Sequence, residues 1–423
     1  MESKREDYLE RLLSHRWNGL VKVITGIRRC GKSYLLFRLF KDRLLSEGVD
    51  PGDVIEIKLE DIGSIPLRNP ITLHDYIKSQ TADGRRRYVF IDEIQMIPNI
   101  RNPYVEEGDD ITFYETLNSL LNTGYLDLYV TGSNSHMLSS EILTQFRDRG
   151  DEIRIHPLSF SEYYLTIGGD RNLAYADYLT FGGMPRLLSV DSDIEKSEYL
   201  KGLFKETYIR DIRERHRIEH PEVLEGIIDF ISSNIGSLTN PKQIASHFKE
   251  VNEGTVRNYI DHLMDAFLFA EAKRFDVKGK KYFSYPNKYY CEDLGLRNAR
   301  LNFRQQEKTH MMENAIYNEL RIRGYSVDVG VVTINAKDSE GRSVRIPKEI
   351  DFVANRYGEK VYIQSAFSIS DEEKLHSETD QFRYTGDSFR KIVVREDVGK
   401  RWFDENGVLH INVVDFMLDK DLF

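Results

Sequence analysis

Gly26-Ile27-Arg28-Arg29-Cys30-Gly31-Lys32-Ser33, followed by Tyr34, fits the pattern G-x-x-x-x-G-K-[ST]. The two glycines let the backbone curl until successive N–H groups converge on one anion, and a helix starting there adds its positive end. Lys32 is then placed to reach β- and γ-phosphates, and the Ser33 hydroxyl to ligate Mg²⁺. The plain alternative is a glycine turn entering a helix. A chance match in a chain of this length arises on the order of once in a hundred chains, so the phosphate-binding reading is preferred.

Tyr88-Val89-Phe90-Ile91-Asp92-Glu93 is an apolar run ending in two carboxylates. Such a Walker B pattern lets Asp92 support Mg²⁺, directly or through water, while Glu93 polarises the attacking water. A third run, Leu128-Tyr129-Val130-Thr131-Gly132-Ser133-Asn134, ends in small polar residues. Thr131, Ser133 or Asn134 is placed to position that water, and the choice among them is open.

These residues need a scaffold. Val21–Thr25, Val54–Leu59, Tyr88–Ile91 and Leu126–Thr131 have the apolar, β-branched character of strands buried on both faces, while Ser33–Leu45 and Ile111–Leu121 have helical spacing. Strand–helix alternation points to a three-layer α/β domain over residues 1–165. Residues 166–225 are expected to be helical, broken at Gly182-Gly183-Met184-Pro185.

Composition narrows the classes. A chain of 423 residues is too long for one core. With 59 basic and 69 acidic side chains it carries a net charge of -10, so it is not coated for nucleic acid, although a local basic face is compatible. Cys30 and Cys291 lack a metal-ligand spacing and fit a reducing compartment. The N-terminus lacks the apolar core of a signal peptide, and no apolar run approaches the length of a membrane span. A cytoplasmic location is expected. Arg85-Arg86-Arg87 is expected to be a solvated basic turn.

The stretches GIRRCGKS, YVFIDEIQ, LYVTGSNSHML, IHPLSFSEYY, FGGMP and KYYCEDLGLRN, spread over residues 26–298, together resemble the AAA+ superfamily. The resemblance is to predicted bacterial and archaeal ATPases that join an AAA-type domain to a C-terminal domain of unknown function. It implies ATP as the nucleotide, with no guanine-reading motif in the sequence. It also implies that Gln95 faces the nucleotide and that an arginine near Phe146-Arg147-Asp148-Arg149-Gly150 meets the γ-phosphate. That arginine is Arg147 or Arg149, acting in cis or across a homo-oligomer interface, and Arg186 is a further candidate from a lid.

Residues 226–290 suggest a winged helix-turn-helix, with helices after Asn240-Pro241 and from Glu253, then a ribbon of Leu268–Phe275 and Lys281–Tyr285. Lys242, Lys249, Arg257, Lys273, Arg274, Lys278, Lys280 and Lys281 could meet DNA phosphates, with Thr255 and Asn258 near base edges. Acidic Glu250, Glu253, Asp261 and Asp265 dilute that field, so docking of a protein client competes with DNA contact. Residues 291–423 suggest a restriction-endonuclease-like α/β core, with Glu313 on a helix and Asp351 before Gln364-Ser365-Ala366. An active core of that kind carries Glu-x-Lys where this chain has Gln364 and Ala366, so loss of metal-dependent cleavage is expected. The expected fold class is therefore an α/β P-loop NTPase parallel-sheet domain with a helical lid, a winged helix and a degenerate nuclease-like domain.

Overall fold

A computed structural model describes residues 3–103, 110–132, 149–209, 212–213, 216–249, 251–337 and 342–422, with only the backbone at 206–208 and 336–337. The chain divides into two compact units, Ser3–Pro157 with Asp265–Phe267, and Leu158–Met264 with Leu268–Phe423. Each is described by itself.

In the first unit five parallel strands, β1 (Val21–Thr25), β2 (Val54–Lys58), β3 (Arg87–Asp92), β4 (Leu126–Thr131) and β5 (Gly150–Arg154), stand in the order β2-β3-β4-β1-β5. Successive side chains point to opposite faces, and this sheet uses both. Val21, Val23, Val89, Ile91, Leu128 and Val130 pack with Leu73 and Ile77 of α3 (Pro70–Gln80) and with Phe113, Leu117 and Leu120 of α4 (Phe113–Leu121). On the other face Phe90 and Tyr129 stack against Phe40, with ring centroids 5.7 and 5.0 Å away. Phe40 belongs to α2, the helical run 32–46, whose middle segment Leu35–Phe40 has π geometry. The three-layer expectation therefore holds for this unit. Lys22, fully buried on the α2 face, ion-pairs with Asp127, which also accepts a hydrogen bond from Tyr129 at 2.9 Å.

Local signals set the helix starts. α1 (Glu6–Ser14) precedes β1. Asn69 caps α3 with Pro70 in the first turn, and Thr112 and Glu115 form a capping box on α4. Arg85-Arg86-Arg87 is not simply solvated: Arg87 is 6 % exposed and grips Asp83 with two hydrogen bonds of 2.6 and 2.8 Å. Two carboxylate oxygens matching two guanidinium N–H groups explain the difference.

The second unit takes in the segments 166–225, 226–290 without Asp265–Phe267, and 291–423. Helices α5 (Phe160–Ile167), α6 (Arg171–Phe181), α7 (Asp193–Gly202), α8 (Pro221–Ser233), α9 (Pro241–Ala245) and α10 (Glu253–Asp265) come first. The expected ribbon is divided between two sheets. β6 (Phe269–Ala272) pairs with β9 (Lys288–Cys291), whereas β7 (Arg274–Asp276) pairs with β8 (Lys281–Tyr282) at the edge of an eight-stranded sheet.

That sheet continues through β10 (Ser326–Lys337), β11 (Ser343–Arg356), β12 (Glu359–Ala366), β13 (Arg390–Arg395), β14 (Trp402–Phe403) and β15 (Leu409–Asn412), in the order β8-β7-β10-β11-β12-β13-β15-β14. Helices α11 (Leu294–Arg300) and α12 (Lys308–Ile322) precede β10, and Ile316 and Leu320 of α12 share a core with Phe352 and Ile363. The stretches used for the family resemblance have packing reasons. A Cβ on Gly295 would lie 1.8 Å from the Phe181 carbonyl, one on Gly182 2.2 Å from the Asp293 carboxylate, and Asp293 accepts from the Gly183 N–H at 2.7 Å.

Candidate functional site

At the C-terminal end of β1 the backbone reverses through Gly26 (φ 140°), Arg29 (φ 69°) and Gly31 (φ 104°) before α2 begins at Lys32. Gly26 is required there, because a Cβ would sit 2.1 Å from the Ile155 carbonyl oxygen. Ile27 and Cys30 are fully buried under the loop, and the Cys30 thiol lies 3.5 Å from the Ile155 carbonyl, so Cys30 is a small filler. Arg28 is half-buried and 3.7 Å from Glu60, whereas Arg29 and Tyr34 are exposed.

The Lys32 ammonium is 4 % exposed and donates to the Gly26 and Ile27 carbonyls at 2.9 and 3.1 Å. Those partners are neutral, so a phosphate oxygen can compete for the same protons. The Ser33 hydroxyl donates to Asp92 Oδ1 at 2.9 Å. The Thr131 hydroxyl donates to the same carboxylate oxygen and accepts from the Glu93 N–H at 3.0 Å. One hydrogen-bonded chain thus ties the loop after β1 to the ends of β3 and β4. A serine hydroxyl beside a carboxylate is the hard oxygen donor set that suits Mg²⁺, so the residues present fit that ion.

Glu93 stands in a left-handed backbone (φ 56°) just beyond β3, a strained setting of the kind kept at functional sites. Burial pushes its carboxyl above the usual range, against the pull of Lys32, and the neighbouring Asp92 charge adds to the rise. The Gln95 amide donates to Glu93. Gln95 is thus placed beside the Glu93 carboxylate.

A family model described as an AAA domain matches residues 18–164, and one described as a domain of unknown function matches residues 172–307. An uncharacterised protein of Haemophilus influenzae is 32% identical over 426 residues, covering 98% of each chain. The chain belongs to the AAA+ superfamily, as an AAA-type ATPase joined to a C-terminal domain of unknown function. An uncharacterised Methanocaldococcus jannaschii protein is 28% identical over 375 residues, or 84% of this chain and 76% of that one. Among solved structures, the Walker-type ATPase of Pyrococcus abyssi is similar over 71% of this chain and 98% of its own, at 17% identity and a TM-score of 0.47. No helix among the described residues is long and apolar enough to cross a membrane.

Other expected site residues of this AAA+ chain are placed differently. Ser133, Asn134 and Arg147 lie outside the described residues. Arg149 directly precedes β5 at the strand end opposite the loop, since Val21 pairs with Gly150 and Thr25 with Arg154. Its guanidinium donates to Asn122 at 2.7 Å. The parallel register thus keeps Arg149 from the loop of its own chain and brings Arg154 to that end of the sheet instead. Arg186 is exposed in the second unit. There Arg257, one of the expected phosphate-contacting cations, bonds Glu253 at 2.7 Å and lies over the Tyr285 ring at 5.0 Å.

The sequence reading missed Arg5. Its buried guanidinium donates to the Cys30 carbonyl at 2.7 Å and the His156 carbonyl at 2.8 Å, clamping the loop to the chain leaving β5. The signal was weak: one arginine in a charged N-terminal segment.

Proposed function

We propose that this chain binds ATP with Mg²⁺ at the loop 26–33 and hydrolyses it. The observation that carries the proposal is the chain of hydrogen bonds from Ser33 through Asp92 and Thr131 to Glu93. Lys32 exchanges the Gly26 and Ile27 carbonyls for phosphate oxygens, and the loop N–H groups and the N-terminus of α2 bind the remaining charge. Ser33 and Asp92 are the residues that would hold Mg²⁺, which when bound neutralises phosphate charge. Glu93 orients the attacking water and accepts its proton. The nucleotide state is relayed to the rest of the chain, including the lid and C-terminal regions, to act on a protein client.

A second reading has one observation in its favour. The Gln95 amide donates to Glu93, and a Glu93 carboxylate held there, away from water, would make the protein a nucleotide-gated switch with little turnover. Phosphate release from the purified chain, with and without duplex DNA, tests both. Glu93→Gln is expected to lower release by about 10²–10⁴-fold while ATP binding persists; an unchanged rate would remove Glu93 from the mechanism. Gln95→Ala is expected to raise the rate if the switch reading holds. Release stimulated by DNA, with retention on DNA that weakens as salt rises, would replace the protein client by nucleic acid.

A further inference from the structure

The second unit holds a group of carboxylates that the ATP site does not use. Glu313 on α12 and Asp351 on β11 are 7 and 8 % exposed, and Glu349 is two residues before Asp351. They converge on Lys288, the first residue of β9, which is itself 4 % exposed. The Lys288 ammonium lies 2.7 Å from Glu349 Oε1, 3.0 Å from Glu313 Oε1 and 3.6 Å from Asp351 Oδ1. An ammonium has three N–H donors and no acceptor; it donates to Glu349 and Glu313, and Asp351 stands as its third acidic neighbour. Two further donors hold the carboxylates in place: Tyr290 donates to the same Glu313 Oε1 at 2.7 Å, and the Ser365 N–H to Asp351 Oδ2 at 2.8 Å. Gln364, opposite Asp351, accepts from the Asp351 N–H at 3.3 Å and donates to Glu378 at 3.2 Å.

We infer that this cluster is a cation site whose resident cation is the Lys288 ammonium, and that a divalent metal is excluded while the lysine is there. Three convergent carboxyl oxygens are what a hard divalent ion would take. The lysine arrives from a strand outside the eight-stranded sheet and fills that point. It also fastens the β6–β9 pair to α12 and β11, because removing one partner of a buried ion pair leaves the others uncompensated. The replacement of an acidic position by Gln364 fits the same arrangement: an ammonium brings one positive charge where a metal brings two, so one carboxylate fewer is needed.

The test uses the nucleotide-free full chain, with Mn²⁺ binding read by electron paramagnetic resonance and stability by thermal melting. Wild type is expected to retain no Mn²⁺ beyond what Asp351→Asn retains. Lys288→Met in metal-free buffer is expected to melt about 5–15 °C lower. Millimolar Mn²⁺ should restore part of that loss, and Lys288→Met with Asp351→Asn should lose the restoration. Asp351-dependent Mn²⁺ binding by wild type would overturn the inference, as would a Lys288→Met protein that melts like wild type. If Lys288→Met does not fold, the comparison of wild type with Asp351→Asn still decides.

Discussion

Lys32 and Lys288 are both 4 % exposed, yet they sit in opposite chemical settings. Lys32 is parked on two neutral backbone carbonyls at the mouth of a glycine loop. Lys288 is surrounded by three carboxylates from two elements. Burial alone therefore does not separate a working lysine from a structural one; the charge of its partners does. A cation held by neutral dipoles is available to an incoming anion, and one held by carboxylates is already neutralised.

The largest effect expected from this contrast is on turnover. Lys32→Ala should lower phosphate release by at least about 10²-fold with little change in melting temperature, because no charge is left unpaired. A Lys32→Ala protein that melts as far below wild type as Lys288→Met does would break the comparison. Lys22 extends it. This lysine is fully buried and paired with Asp127, so it belongs with Lys288. Asp127→Ala should cost about 3–5 kcal/mol in urea unfolding, because it strands the ammonium. A loss within about 0.5 kcal/mol would show that the pair is not needed.

A smaller effect concerns a buried carboxyl. Asp293 is pushed up to about 6 by burial, against the N–H groups of Gly183, Leu296 and Gly295, which favour its charged form. A raised carboxyl pKa means that the folded chain binds the proton more tightly than the unfolded one. Its stabilisation is full below pH 4 and is lost as pH rises through about 6, by up to about 3 kcal/mol. Asp351 is pushed up to about 8, chiefly by burial and then by Glu313, and acts in the same direction. Stability of the second unit should thus fall from pH 4 to 8. Asp293→Asn should flatten the part below pH 7, and an unaltered slope there would assign it elsewhere.

The sequence made the nucleotide site legible because its parts are local. The loop 26–33 carries its own geometry, and the strands before Asp92 and through Thr131 are continuous apolar runs whose ends fell within about a residue of those observed. What depends on distant pairing was not legible. Arg149 has the right residue type, but the direction of β5 turns it away from the loop of its own chain. Nothing in the residues around Lys288 marks it, and pairing of β9 with β6 brings it to Glu313. In β10, Val327, Val329 and Val331 alternate with Asp328 and Gly330. That period-2 signal was present, and the glycine and aspartate in it resemble turn formers.

Arg5 sharpens the contrast most finely, since it too donates to neutral carbonyls at the loop, those of Cys30 and His156. If neutral partners alone made a cation available to phosphate, Arg5 would behave like Lys32. The difference lies in what the bonds join. Lys32 bonds two adjacent carbonyls of its own loop, whereas Arg5 bridges the loop and the segment after β5, and its release would uncouple them. Arg5→Ala should therefore cost about 1–3 kcal/mol of stability, because the bridge between the two segments is lost. In steady-state kinetics it should raise KM for ATP several-fold through a loosened cradle while kcat changes less than about threefold. A fall in kcat as large as that of Lys32→Ala, with KM unchanged, would place Arg5 among the groups that act on the phosphate rather than among those that hold the loop.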